Sequence, residues 1–334
     1  MLPPLGCRMK PKVFITRPIQ QLAIDRIAER CVVRVHSEDE AIDIQELTEK
    51  IRDVDGLMPI GVRVPAEAIA AASNLRIVAN VGAGYDNVDV EACTRRGILV
   101  TNTPDVVTEA TADMAFALML STARRVVEGD RYVRAGAWRR WQWNLLWGLE
   151  VHGKTLGLYG FGRIARAVAG RSRGFSMRIL YHARHRADFQ VEKELGAEFV
   201  DRDTLLRESD FLSVHVPLTP DTLHSIGRPQ FALMKPTSVV VNTARGKVIE
   251  EEALAEALRS RSIAGAGLDV FENEPEVHPS LIDLSNVVLV PHIGTATSDT
   301  RLRMALRTAD NLLAALDGKR PTDLLNPEVI EQRS

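Results

Sequence analysis

The chain has 334 residues, 45% of them hydrophobic and 26% charged, with 42 Lys+Arg against 44 Asp+Glu for a net charge of -2. These values exclude wholesale disorder, collagen-like repeats and a disulfide-rich miniprotein. They offer no basic excess to recruit nucleic acid and no acidic arm.

At about 150 residues per domain, the length favours two domains. Cys7, Cys31 and Cys93 stand at no metal or redox spacing, and their odd number argues for a reducing, cytoplasmic setting. No apolar run reaches the roughly 18 residues of a membrane span. Residues 1–8 lack an apolar signal core and read as a dispensable leader or an over-called start ahead of Met9.

In chain order, short β-branched runs alternate with segments of helical period. The pattern predicts strands at Val13–Thr16, Val32–Val35, Gly56–Ile60, Leu75–Asn80 and Ile98–Thr101, with helices such as Ile44–Arg52 and Pro65–Ala72 between them. A long helix follows, with Thr108 as its expected N-cap, running to Arg124-Arg125. Further strands are expected at Thr155–Tyr159, Arg178–Tyr181, Phe211–Val216, Ser238–Asn242, Ala264–Asp269 and Val287–Val290, and a closing helix at Ser298–Leu316. Alternation of this kind predicts an α/β chain whose parallel sheets are covered by helices.

Gly160-Phe161-Gly162-Arg163-Ile164-Ala165 fits G-x-G-x-x-[G/A] between an expected strand and an expected helix. The first glycine permits a tight turn and the second lets the backbone approach a pyrophosphate. A small third residue lets helix pack on strand. Gly148–Thr155 matches the P-loop pattern G-x4-G-K-[ST] letter for letter, but a strand follows it where a helix is required. The acid that holds an NAD ribose is missing after the next strand. Arg184 and Arg186 stand there instead, with Asp188 too late, which favours NADP(H) over NAD(H).

Arg245, Glu274 and His292 follow three successive apolar runs, at the strand ends where open parallel sheets bind ligands. Taken alone, a histidine after a proline reads as structural more readily than as catalytic. His182 and His185 have metal-like spacing but no acidic or thiolate company, so no metal site is expected and a solvated or phosphate-side role is favoured.

Together with Val81–Asp89 and His215-Val216-Pro217-Leu218-Thr219, these strings closely resemble the D-isomer-specific 2-hydroxyacid dehydrogenase family over about Lys10 to Gly318. Within it, the chain is most similar to the glyoxylate/hydroxypyruvate reductases, including the branch that reduces 2-ketogluconate. The resemblance implies two Rossmann-like/flavodoxin-like lobes, each a doubly wound parallel sheet, with a cleft between them. The substrate lobe would comprise residues 1–105 and 298–334, and the nucleotide lobe residues 106–297.

The resemblance also implies roles. His292 is the acid/base, Glu274 its partner, and Arg245 the holder of the substrate's carboxylate and carbonyl. The backbone of Ala83 and Gly84 receives the carboxylate. Asp269 touches the nicotinamide, and Val216, Pro217, Thr222 and Thr243 join Gly160–Ile164 in holding the cofactor. The product is a small D-2-hydroxy acid. Two rival readings are a NAD-dependent relative of other substrate preference and a nucleotide-sensing, corepressor-like binding protein. Absence of an acid at Ala183 speaks against the first.

All four tryptophans lie between Trp138 and Trp147. Three readings stay open: core packing, a homodimer surface, and a dimerisation arm whose Trp141 reaches the partner's substrate site. The last is implied by the resemblance alone.

Overall fold

The computed structural model describes residues 10–38 and 42–331, so the leader reading for residues 1–8 lies outside them. The chain separates into two compact units. One takes in the chain up to Val107 and again from Thr297, and the other runs Thr108–Ala296.

The first unit holds β1 (Lys12–Ile15), β2 (Val32–Val35), β3 (Gly56–Met58), β4 (Ile77–Ala79) and β5 (Leu99–Thr101). Their order is β2-β1-β3-β4-β5, and every pairing is parallel, with Phe14 against Leu57 and Val78 against Val100. The central strands are apolar on both faces because helices cover both. One face packs Phe14, Leu57, Val78 and Val100 with Leu47 and Ile69. The other packs Val13, Ile15, Ile77 and Leu99 with Leu312 and Leu313 of the helix Ser298–Leu316. That helix begins and ends where its apolar period does, and Thr297 caps it by accepting from the Thr300 N–H.

The second unit holds β6 (Thr155–Tyr159), β7 (Arg178–His182), β8 (Ala197–Phe199), β9 (Phe211–Val214), β10 (Val239–Asn242), β11 (Gly265–Leu268) and β12 (Val287–Leu289). The order is β12-β11-β10-β9-β6-β7-β8, again parallel throughout. The order reverses at β6, so the outer ends of β6 and β9 form a topological switch point, where such sheets bind ligands. Helices cover both faces through two apolar clusters, one around Leu254, Leu258 and Val240, the other around Phe116, Leu156 and Val241.

Two expectations need correction. β8 escaped the strand pattern because its three residues, Ala-Glu-Phe, include no β-branched side chain and add only an edge. Thr108 is the first helical residue of Thr108–Ala123 rather than its cap. Among the described residues no helix is long and apolar enough to cross a membrane.

Candidate active site

The turn after β6 places the glycine motif. Gly160 has φ +95°, a left-handed conformation that favours glycine. A Cβ there would stand 2.6 Å from the His215 carbonyl oxygen. Gly162 caps the helix Arg163–Ser172, whose first-turn N–H groups lack intrahelical partners. The Phe161 ring turns inward and stacks on Tyr181 at 3.9 Å between centroids, so any contact with a ligand falls to its backbone. Ala165 is fully buried, as close helix packing needs. The P-loop look-alike Gly148–Lys154 is an irregular lead into β6 with no helix after it.

The loop after β7 holds the two arginines differently. Arg186 donates from Nε and Nη2 to the two carboxylate oxygens of Glu192, at 2.9 and 2.8 Å. Glu192 is buried and also accepts from the Tyr181 hydroxyl at 2.5 Å. Arg186 and that hydroxyl hold the Glu192 carboxyl below its ordinary value. Arg184 is exposed, with no ion pair among the described residues. His182 is not solvated: it stacks between Tyr159 and Phe199 and bonds the Val200 carbonyl oxygen.

After β9, the Thr222 hydroxyl closes its own loop, donating to the Pro217 carbonyl at 2.6 Å and accepting from the Thr219 N–H at 2.8 Å. Val216 packs against the core. After β10, the Thr243 hydroxyl is buried and has no hydrogen-bond partner among the described residues, which leaves an acceptor and donor for a ligand at this strand end. The glycine turn, the first-turn amides and this hydroxyl fit a bound dinucleotide.

The three strand-end residues converge. Asn242 shapes the turn after β10 by donating to the Arg245 carbonyl and accepting from the Ala244 N–H. A Cβ on Gly246 would lie 1.9 Å from the Phe271 carbonyl carbon, so only glycine lets this turn pack on the segment that carries Glu274. His292 is held at φ +51° after β12. Its N–H donates to the Asp269 carbonyl, and the Asp269 carboxylate accepts from the Ile293 and Gly294 N–H groups at 2.6 and 2.8 Å. Burial still pushes the Asp269 carboxyl up, despite those bonds and the nearby His292.

His292 Nδ1 lies 2.8 Å from Glu274 Oε2, while Glu274 Oε1 accepts from the Phe271 N–H at 3.1 Å. Burial alone would raise the Glu274 carboxyl. The hydrogen bond and charge of His292, the Phe271 amide and the charge of Arg245 outweigh it and hold the group below its ordinary value. With Nδ1 engaged, Nε2 of His292 is the ring nitrogen left to face a ligand, and the side chain is 53% exposed.

In the first unit, Ala83 and Gly84 lie in the loop after β4. The residues that shape this loop were not singled out in the sequence. Asn80 donates to the Gly84 carbonyl at 2.8 Å and Asn102 to the Ala83 carbonyl at 2.7 Å. A polar residue directly after an apolar strand was the available signal.

The tryptophans do not form a core. Trp138, Trp141, Trp143 and Trp147 are 55–77% exposed. Trp141 meets Trp143 at 6.1 Å between centroids, and the Trp147 indole donates to the Trp143 carbonyl.

Residues 116–294 match the family described as D-isomer specific 2-hydroxyacid dehydrogenase, NAD binding domain. A protein named glyoxylate reductase from Thermococcus onnurineus is 51% identical over 330 residues, covering 97% of this chain and 98% of that one. The crystal structure of a glyoxylate reductase from Paecilomyes thermophila is similar with TM-score 0.86 and 34% identity, covering 96% of this chain and 99% of that one. An NADPH-dependent glyoxylate/hydroxypyruvate reductase from Sinorhizobium meliloti, solved with NADP and malonate, gives TM-score 0.84 and 35% identity, covering 95% and 97%. The chain belongs to the D-isomer specific 2-hydroxyacid dehydrogenase family and is an NAD(P)-dependent oxidoreductase.

Proposed function

We propose that the chain reduces small 2-keto acids to D-2-hydroxy acids, glyoxylate first, then hydroxypyruvate and 2-ketogluconate, with NADPH preferred over NADH. The observation that carries the reading is the His292–Glu274 pair at 2.8 Å beside the charge of Arg245, on a His292 side chain that is 53% exposed with Nδ1 already engaged. The names of the relatives support glyoxylate as the substrate. A dihydronicotinamide, when bound, supplies the hydride.

His292 delivers a proton from Nε2 to the carbonyl oxygen as C2 is reduced, and takes it back in the reverse direction. Glu274 fixes the ring through Nδ1 and so sets which nitrogen is left for the substrate. Arg245 holds the carboxylate and polarises the carbonyl. Ala83 and Gly84 offer backbone amides to the carboxylate. Asp269 keeps the turn of His292 in place, and its carboxylate oxygens are already bonded to backbone amides.

Arg184 is the cation assigned to the 2′-phosphate. Arg186 supports the same loop through Glu192. The exposed tryptophans support a homodimer, with Trp141 offered to the partner's substrate site. Absorbance at 340 nm, with NADPH and NADH each paired with the three keto acids, tests the reading. Glyoxylate-dependent oxidation that is faster with NADPH is expected. Faster NADH oxidation overturns the cofactor preference, and no turnover with either cofactor overturns the function.

A further inference from the structure

Three consecutive carbonyls in the loop after β4 are tied to the ends of β4 and β5. The Gly82 oxygen accepts from the Thr103 N–H at 2.9 Å. The Ala83 oxygen accepts from Asn102 Nδ2 at 2.7 Å, and the Gly84 oxygen from Asn80 Nδ2 at 2.8 Å. In a trans peptide the N–H points opposite to the C=O of the same unit. All three peptides are trans, so the N–H groups of Ala83, Gly84 and Tyr85 point away from the strand ends. Among the described residues, none of these three N–H groups donates to another protein group.

The side chains that do this are themselves fixed. Asn80 and Asn102 are 3% and 8% exposed. Asn87 Nδ2 donates to the Val62 carbonyl at 2.8 Å and to Asn80 Oδ1 at 3.1 Å. With its oxygen taken, Asn80 presents its nitrogen to Gly84. Successive amides on one side form a concave, partly positive nest suited to a carboxylate.

We propose that Asn80 and Asn102 are positioning residues that make the Ala83-Gly84-Tyr85 amides into a carboxylate receptor. This rests on the keto-acid reading above and extends it by the Tyr85 amide and the two asparagines. Neither asparagine touches the substrate; each acts by holding a carbonyl inward.

The test uses Asn102→Leu, which is close in size and uncharged, beside Asn102→Asp, which adds charge. Asn80→Leu, which removes the donor to Gly84 without adding charge, carries the test if Asn102→Leu fails to fold. Glyoxylate KM, kcat, inhibition by oxalate and NADPH binding by fluorescence titration are measured for each. In Asn102→Leu, the glyoxylate KM and the oxalate inhibition constant are expected to rise together by about tenfold, with kcat within about threefold and NADPH binding unchanged.

A wild-type KM in Asn102→Leu overturns the proposal, even if Asn102→Asp raises it, since the effect is then charge alone. Loss of NADPH binding alongside the KM change overturns it too, as the role is then structural. A wild-type enzyme that reduces glyoxylate but ignores oxalate overturns the receptor alone. A wild type that reduces no keto acid overturns the function and this inference with it.

Discussion

Arg184→Ala removes the cation that the loop after β7 leaves exposed and unpaired by any described residue. A guanidinium against a phosphate is a charge-assisted pair that alters affinity by roughly ten- to a hundredfold when well formed. Because Arg184 is exposed, solvent screens the pair and the lower end applies, about tenfold. The KM for NADPH is therefore expected to rise about tenfold, while the KM for NADH, which has no 2′-phosphate, stays put.

Arg186→Ala is the contrast. Its guanidinium already forks to Glu192 at 2.9 and 2.8 Å. Removing it leaves the buried Glu192 with the Tyr181 hydroxyl, so the melting temperature falls while the NADPH KM rises less than in Arg184→Ala. Initial rates at 340 nm with saturating glyoxylate and varied cofactor read both effects. Equal shifts for NADPH and NADH in Arg184→Ala would refute the reasoning. So would a larger NADPH effect from Arg186→Ala.

Three further outcomes follow from the geometry. Glu274→Gln keeps the shape but removes the charge beside His292 Nδ1, so kcat is expected to fall by about a hundredfold with NADPH binding unchanged, as steady-state rates and a binding titration would record. His215 is half-buried and bonds the Ser213 hydroxyl, and desolvation pushes it down from 6.5 to about 4. It is neutral in the fold and protonates near 6.5 when unfolded, so stability is lost as pH falls from 6.5 towards about 4, by about 3 kcal/mol at the lower limit. Urea midpoints against pH are expected to show a shallower acid loss in His215→Gln. In Gly160→Ala, a Cβ 2.6 Å from the His215 carbonyl oxygen, at φ +95°, forces the turn apart. Dinucleotide binding, read by fluorescence titration, is expected to vanish along with a few kcal/mol of stability, roughly.

The central strands were legible because each buries both faces and so reads as an apolar run, as at Gly56–Met58 and Val239–Asn242. The glycine motif was legible because its constraints are local: a left-handed φ at Gly160 and a buried small residue at Ala165. Arg245, Glu274 and His292 were visible as strand-end residues, but their meeting depends on Gly246 packing on Phe271 and on Asp269 gripping the turn after His292. Those are contacts between segments that sequence spacing does not encode.

The same holds for Arg186. Its partner lies six residues on, across a loop and into a helix, and the fork forms only once Tyr181 sets the carboxylate in place. Composition made the tryptophans candidates for a core. Their segment has no regular apolar period, and the chain leaves them in solvent. Asn80 and Asn102 stayed hidden because they are neutral side chains acting on backbone carbonyls, brought together by the pairing of β4 with β5.

The most direct test of the account is the glyoxylate-dependent rate of NADPH oxidation in His292→Asn against the wild type. The account predicts a fall of about two to four powers of ten in kcat with NADPH binding intact, since the group that gives the proton is gone while the glycine turn is untouched. A variant that keeps more than about a tenth of the wild-type rate would contradict it, and His292 would then be a structural residue of the turn after β12.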